Sequence, residues 1–427
     1  MDYTQNCKIE QVKESTLVIG IDVGSETHYA RAFDWRGREL TKKVFCFSSD
    51  IEGFSAFYEW AGQISNRTAK TDIMIGCEPT GHYWYTLEAF LKKNGLRLVF
   101  VNPASVKRVK ELDDNSPKKT DRKDPKVIAK LVIDGRFIEP YVPEGIYADL
   151  REVVSSRDRI LKELNCCSNR IQRWLSIYFP EYKKVYKKFD AESGMRVLEE
   201  APLPCDIIAL GCDKIVQIWR RYKLRAVGMK RAQTLVEAAH NSVGKHGGNG
   251  ARVELKMLLE DYRVKSLQLE KVTQSMQSLL MQVPHIEKLL AVKGVGVVTA
   301  AGFVSEVGDI GRFDSPKQIQ KLAGFEIVEN SSGKHNGKKT ISKRGRRKLR
   351  KILFQVVLPL IRSNMEFRNV YDYYTTRVKN PLKGRQAIIA VACKLIRIFY
   401  AMLSKGVDYD PSKLLSDIRR PQDYIAA

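Results

Sequence analysis

Residues 16–24 read TLVIGIDVG, a continuous apolar run rich in β-branched side chains and closed by Gly24. Such a run reads as a buried strand. HYARAFD (28–34) alternates and enters a turn, WRGRE, around Gly37, and KKVFCFS (42–48) reads as a third strand. A short Gly-containing loop between them predicts an antiparallel hairpin. Ile51 to Ile64 has helical spacing behind Asp50, a good N-cap residue. DIMIGCEP (72–79) is a fourth strand, Tyr83 to Lys93 a helix closed by Asn94-Gly95, and LRLVFVNP (96–103) a fifth strand. Asp124 to Ile133 reads as a further helix behind a basic loop.

Three strands, helix, strand, helix, strand, helix is the order of an RNase H-like (RuvC-like) α/β domain, an antiparallel meander followed by crossover units. After about residue 146 strand signals fade and the chain reads as helical. Leu150 to Tyr178 is charged and helical, and Leu258, Tyr262, Leu269, Val272, Met276 and Leu279 follow a 4-then-3 pattern. That spacing fits either a coiled-coil seam or a helix packed on its own chain. GKHGGNG (244–250) reads as a flexible joint before it. The expected organisation is an α/β domain at 1–146, a helical or coiled-coil linker and dimerisation region at 147–283, and a mostly helical domain at 284–427.

Lysine and arginine exceed aspartate and glutamate by 24, which favours a polyanionic partner, nucleic acid first. Near Pro284 the pattern is helix, Gly294-Val295-Gly296, helix, a helix–hairpin–helix-like element. There Lys293 and the N–H groups about Gly294 and Gly296 can take phosphate, unless the element is a plain αα turn. The run 331–351 is basic, without an acidic residue, and Gly- and Ser-bearing. Lys334, Lys338, Lys339, Lys343, Arg344, Arg346 and Arg347 there are candidates for gripping a nucleic-acid backbone. The eight cysteines contain no C-x-x-C pair and read as reduced, buried thiols; a structural zinc site is not expected. The polar N-terminus and the absence of a membrane-length apolar run point to a cytoplasmic protein without a membrane partner.

Asp22 ends the first strand and Glu78 the fourth, and central strands of such a sheet lie side by side, so the two carboxylates can meet at one end of it. Asp121 and Asp124 are three apart at a helix start and share a face. Converging carboxylates repel one another unless hard divalent cations bind their oxygens. Two such ions about 4 Å apart clamp the attacking and leaving oxygens of a phosphodiester displacement. Spacing alone does not separate these four from Asp113, Asp114 and Glu26. Tyr83 and Trp84, just after Glu78, read as core residues or as stacking platforms for bases.

IGIDVGSETHYA, CEPTGHYW, KTDRKD, KGVGVVTAAGFVSEVGDIGRF and ISKRGRRKLR together resemble the DEDD-type insertion-sequence transposases, which include bridge-RNA-guided recombinases and a pilin-gene invertase. The resemblance covers roughly 16–140 and 285–400. It implies that Asp22, Glu78, Asp121 and Asp124 bind Mg²⁺ (or Mn²⁺). It also implies that Ser332, in a Ser-Gly pair, is a nucleophile for recombination, with Ser331 and Ser342 as alternatives. Target and donor DNA, a structured guide RNA, a homodimer or tetramer, and work at the nucleoid follow from the same likeness. The middle region, about 180–250, is longer than in shorter members. A metal-dependent, structure-selective nuclease resembling a Holliday-junction resolvase needs the carboxylates but not Ser332; a non-catalytic binding protein needs neither.

Overall fold

The computed structural model describes residues 3–113, 124–329, 331–332, 335–337 and 339–415. The chain divides into two compact units that meet in sequence at Val142 and Pro143.

The first unit runs α1 (Tyr3–Ile9), β1 (Thr16–Val23), β2 (Thr27–Phe33), β3 (Phe45–Ser48), α2 (Ile51–Arg67), β4 (Asp72–Cys77), α3 (Trp84–Lys93), β5 (Arg97–Val101), α4 (Pro103–Asp113), α5 (Asp124–Ile133) and β6 (Phe137–Ile138). The sheet order is β3-β2-β1-β4-β5-β6. The meander β3-β2-β1 is antiparallel, β1-β4-β5 parallel, and β6 antiparallel to β5. Helices cover both faces: Phe57 and Ile64 of α2 with Leu87 and Leu91 of α3 on one, Val106 of α4 and Ile128 and Leu131 of α5 on the other. A strand buried on both sides has no reason to alternate, which is why β1 is apolar almost throughout. Asp50 caps α2, its carboxylate accepting from the Gly53 N–H at 2.8 Å.

The expected elements are present, with shifted edges: the third strand is only Phe45–Ser48, and the fourth ends at Cys77 so that Glu78 lies just beyond it. α1, α4 and β6 were not expected. α4 begins at Pro103, the residue assigned to the end of the fifth strand; proline is at home in a helix's first turn, where its missing N–H leaves no bond unmade.

The second unit starts with α6 (Gly145–Tyr178), followed by α7 (Tyr182–Val185), α8 (Glu192–Glu200), α9 (Pro204–Arg221), α10 (Met229–His240) and α11 (Asn249–Leu280). α11 lies antiparallel on α6. Trp174 Nε1 donates to Ala251 O at 3.0 Å, Cys167 Sγ to Leu258 O at 3.2 Å, and Arg157 Nε to Thr273 Oγ1 at 3.2 Å. The heptad-like seam therefore packs on its own chain. The presumed joint at 244–250 is also docked: the Lys245 N–H donates to Ile177 O at 2.8 Å, and Asn249-Gly250 already belong to α11. α7–α10 enclose a core with the adjoining halves of α6 and α11, around Trp174, Trp219 and Tyr182.

The other ends of α6 and α11 join a separate core with α12 (Ile286–Ala291), α13 (Val297–Val307), α14 (Pro316–Leu322), α15 (Arg347–Ser363), α16 (Met365–Thr376), α17 (Gly384–Lys405) and α18 (Pro411–Leu415). Between α14 and α15 lie two small ladders, β7 (Ile327–Val328) with β10 (Thr340–Ile341), and β8 (Ser331–Ser332) with β9 (His335–Asn336), in a stretch where strands were not expected. Contrary to the expectation of no membrane-length apolar run, α17 is long and apolar enough to cross a membrane by length and composition. Its residues Val391, Leu395, Ile396 and Phe399 are instead central to this core. The thiols also differ from expectation. Cys77 and Cys167 are buried, whereas Cys7, Cys46, Cys166 and Cys205 are exposed.

Candidate active site and nucleic-acid interface

β1 and β4 are parallel, with Ile21 opposite Cys77. Asp22 and Glu78 are the next residues on these neighbouring chains, one inter-strand spacing of about 4.8 Å apart. Both are half-buried. Side chains alternate along a strand, so Asp22 and Glu78 share the face of Gly20 and Gly76. That face carries α5 at unusually close range. A Cβ on Gly20 would lie 1.9 Å from the Pro125 carbonyl oxygen, and one on Gly76 2.5 Å from a Val132 methyl. The first turn of α5 thus sits over β1, two residues before Asp22, and Asp124 opens that turn.

Asp124 is 7 % exposed, and Lys110 of α4 forms an ion pair with it. The donor set is entirely carboxylate oxygen, the chemistry a hard divalent cation takes. Among the described residues, however, no three His, Cys, Asp or Glu side chains are gathered closely enough to hold a metal ion. The Lys110 ammonium occupies the position of counter-charge to Asp124. Asp121 and Asp114 lie outside the described residues, Asp113 ends α4, and Glu26 is exposed in the β1–β2 turn.

His28 faces away from the carboxylates. It is buried on the opposite side of the sheet against Phe47 and Phe54, with ring centroids 5.0 and 5.8 Å away, and burial holds its pKa below the ordinary value. Tyr83 and Trp84 pack at the edge of the same core, Trp84 meeting Phe100 edge-on at 4.7 Å. Lys110, Gly20 and Gly76 were missed in the sequence. Their signal was there in part: Ile19-Gly20-Ile21-Asp22 and Ile75-Gly76-Cys77-Glu78 repeat one glycine-x-acid pattern in paired register.

In the second unit, α12, the turn Val292–Gly296 and α13 form the expected helical hairpin. Lys293 is exposed in the turn. Gly294 has φ +101°, and a Cβ there would meet Leu360 at 2.8 Å. Its glycine is therefore explained by backbone conformation and by the close approach of α15. Gly296 leads into α13, and a Cβ there would meet nothing within 4 Å. In the basic run, Ser332 is the register partner of His335 across β8–β9. Gly333, Lys334 and Lys338 lie outside the described residues.

Lys339 is ion-paired with Glu329, while Lys343, Arg344 and Arg347 are exposed. Arg346 plays a structural part, since its Nη1 donates to Glu306 O at 2.8 Å and lies 3.5 Å from Glu306 Oε2. The Ser342 N–H donates to Glu326 O at 2.7 Å.

Residues 19–180, which hold the sheet from the middle of β1 onward together with Asp22, Glu78 and Asp124, match a family described as transposase. Residues 286–372, from the helical hairpin through the basic run, match the transposase IS116/IS110/IS902 family. The chain belongs to that transposase family. It is similar to the 43.6 kDa protein of insertion element IS110 from Streptomyces coelicolor, 22 % identical over 92 % of this chain and 95 % of the relative. It is likewise similar to the 44.8 kDa protein of insertion element IS116 from Streptomyces clavuligerus, 23 % identical over 92 % and 95 %. The transposase for insertion sequence element IS1111A of Coxiella burnetii is 23 % identical over 87 % of this chain and 90 % of its own. Transposases cleave and recombine DNA, and DNA is the polyanion that the surplus of basic residues fits. Neither matched region of this transposase includes 181–285, where α7–α10 lie.

Proposed function

We propose that this transposase cuts and exchanges DNA strands through a divalent-metal carboxylate site in its first unit and a serine nucleophile, Ser332, in its second. The observation that carries this reading is the convergence of Asp22, Glu78 and the start of α5 at the C-terminal ends of the central strands β1 and β4. Asp22, Glu78, Asp124 and Asp121 would hold Mg²⁺ or Mn²⁺, which would withdraw charge from a scissile phosphate and from the oxygen leaving it. The carboxylates fix the end of the central strands at which the phosphodiester lies, and α5 closes one side of it. Ser332 Oγ forms a bond to phosphorus as the bond from phosphorus to the leaving strand's oxygen breaks; the serine proton ends on that oxygen. Exposed Lys343, Arg344 and Arg347 neutralise phosphate charge beside this step, together with Lys334, Lys338 and Lys339.

The resemblance to bridge-RNA-guided recombinases supports a structured guide RNA, pairing with target and donor DNA so that base pairing reads sequence. It equally supports a homodimer or tetramer and work at the nucleoid. We divide the chain functionally at 1–146, 147–283 and 284–427. The test is denaturing electrophoresis of the purified protein with its element's junction DNA, copurifying RNA and Mg²⁺. A covalent protein–DNA adduct, lost in both Ser332→Ala and Asp22→Ala, is expected. Nicked ends without an adduct, lost only in Asp22→Ala, would replace this mechanism with that of a metal-dependent, structure-selective nuclease.

A further inference from the structure

The α12–α13 hairpin backs onto the junction of α15 and α16, and a cavity of about 460 Å³ opens there. Three cations line it: Lys293 from the hairpin turn, Arg362 from the last turn of α15, and Arg368 from the first turn of α16. Among the described residues none of the three is ion-paired. Cations that hold the fold together elsewhere in the chain behave differently: Arg252 grips Asp206 at 2.7 Å, and Arg346 grips Glu306. The cavity's one carboxylate is Glu366, so cations exceed anions three to one.

A neutral donor completes the lining. The Tyr409 hydroxyl is buried without a hydrogen-bond partner, and its ring stacks on Phe367 with centroids 6.2 Å apart. Burial, with Glu366 and Asp410 nearby, pushes its pKa up to about 12, so the phenol keeps its proton at neutral pH. A buried donor left unmet in the free protein points to a partner that arrives with a ligand. The frame is rigid. Asn364 Oδ1 accepts from the N–H groups of Glu366 and Phe367 at 3.1 and 3.3 Å, capping α16, and its Nδ2 reaches the Lys293 carbonyl at 3.5 Å.

We propose that this junction is a phosphodiester-binding pocket that holds the backbone of duplex DNA beside the helical hairpin. The inference rests on the reading of the protein as acting on DNA and deepens it. Guanidinium forks suit the paired non-bridging oxygens of a phosphate, and a phenol donates a further bond. A cavity shared by the turn and two helix ends would fix register on a backbone without reading bases.

The test is anisotropy titration of the full-length protein against a labelled duplex of its element's end, over a range of salt. Arg362→Ala with Arg368→Ala is expected to weaken binding at least about tenfold and to reduce the salt slope by about two. Lys256→Gln with Lys271→Gln, exposed on α11, removes the same charge and is expected to do much less. Glu366→Gln is expected to tighten binding a few-fold, a gain that misfolding cannot imitate. Tyr409→Phe is expected to weaken binding without lowering the melting temperature.

Equal losses in the pocket and α11 variants, or no gain in Glu366→Gln, would overturn the pocket while leaving DNA action standing. Loss of binding to a labelled RNA alone, with duplex DNA binding intact, would overturn it in favour of an RNA occupant. A wild-type protein that binds no duplex DNA would overturn the broader reading and the pocket with it.

Discussion

The Lys110 ammonium is ion-paired with the Asp124 carboxylate at the first residue of α5. Asp124 is nearly buried, so removing its partner leaves a charge that water can only partly solvate. A bound divalent cation would take over that role, and Lys110 would then repel it. Lys110→Met should therefore act in opposite directions. In chelator the variant should be less stable by about 1–3 kcal/mol. With Mn²⁺ it should show a larger rise in melting temperature than the wild type, reflecting affinity improved on the order of tenfold. Equal metal-induced shifts in thermal melts of the two proteins would show that Asp124 is not a ligand.

Gly20 and Gly76 are the reason α5 can lie so low on the sheet. With Gly20→Ala, the new methyl would fall 1.9 Å from the Pro125 carbonyl oxygen, a backbone atom that cannot turn aside. The helix must lift, and Asp124 moves with it. We expect a loss of about 1–3 kcal/mol in urea unfolding, with DNA cleavage lost even where the protein is fully folded. Gly62→Ala in α2 is the contrast, since a Cβ there meets nothing within 4 Å. It should stabilise by about 0.5–1 kcal/mol. Full cleavage by Gly20→Ala would separate the position of α5 from the chemistry.

Both ring nitrogens of His28 are buried without partners, and its pKa is lowered in the folded protein. As pH falls through about 6.5, the unfolded chain takes up a proton that the folded protein refuses. The stability His28 allows is thus complete above that value. It declines below it, by up to about 1.4 kcal/mol per pH unit, until the folded pKa is passed. His28→Phe keeps an aromatic ring against Phe47 and Phe54. It should flatten the pH dependence of unfolding below about 6.5. An unchanged slope would mean that other groups control acid sensitivity.

The sheet was legible because β1, β4 and β5 are apolar runs whose length and flanking turns leave few choices, and α5 was readable to the residue. α4 was not. Its residues Val106 and Val109 make a sparse apolar stripe among lysines and an arginine, too short for periodicity to declare itself. Asp22, Glu78 and Asp124 could be placed at strand and helix ends from sequence. Lys110 could not be paired with one of them, because that contact spans two helices and the basic loop between. The seam at 258–279 had the right spacing for a coiled coil. Which helix fills it is a long-range fact, answered by Trp174 and Cys167 on α6.

Arg346 and Arg344 are two residues apart in one basic run, yet they should fail differently when removed. Arg346 is half-buried and ties the start of α15 to α13 through Glu306, whose side chain is only 12 % exposed. Arg346→Ala strands that carboxylate and a backbone carbonyl, at a cost of about 1–3 kcal/mol. Any loss of DNA binding should then track unfolding. Arg344 is exposed and makes no ion pair among the described residues. Arg344→Ala should leave the melting temperature within a degree or so, weaken DNA binding evenly across sequences, and reduce the salt slope by about one. Thermal melts and salt-dependent titrations of both variants decide the matter. A stable Arg346→Ala protein with reduced binding would move Arg346 to the DNA surface. A destabilised Arg344→Ala protein would show that the whole run is scaffold.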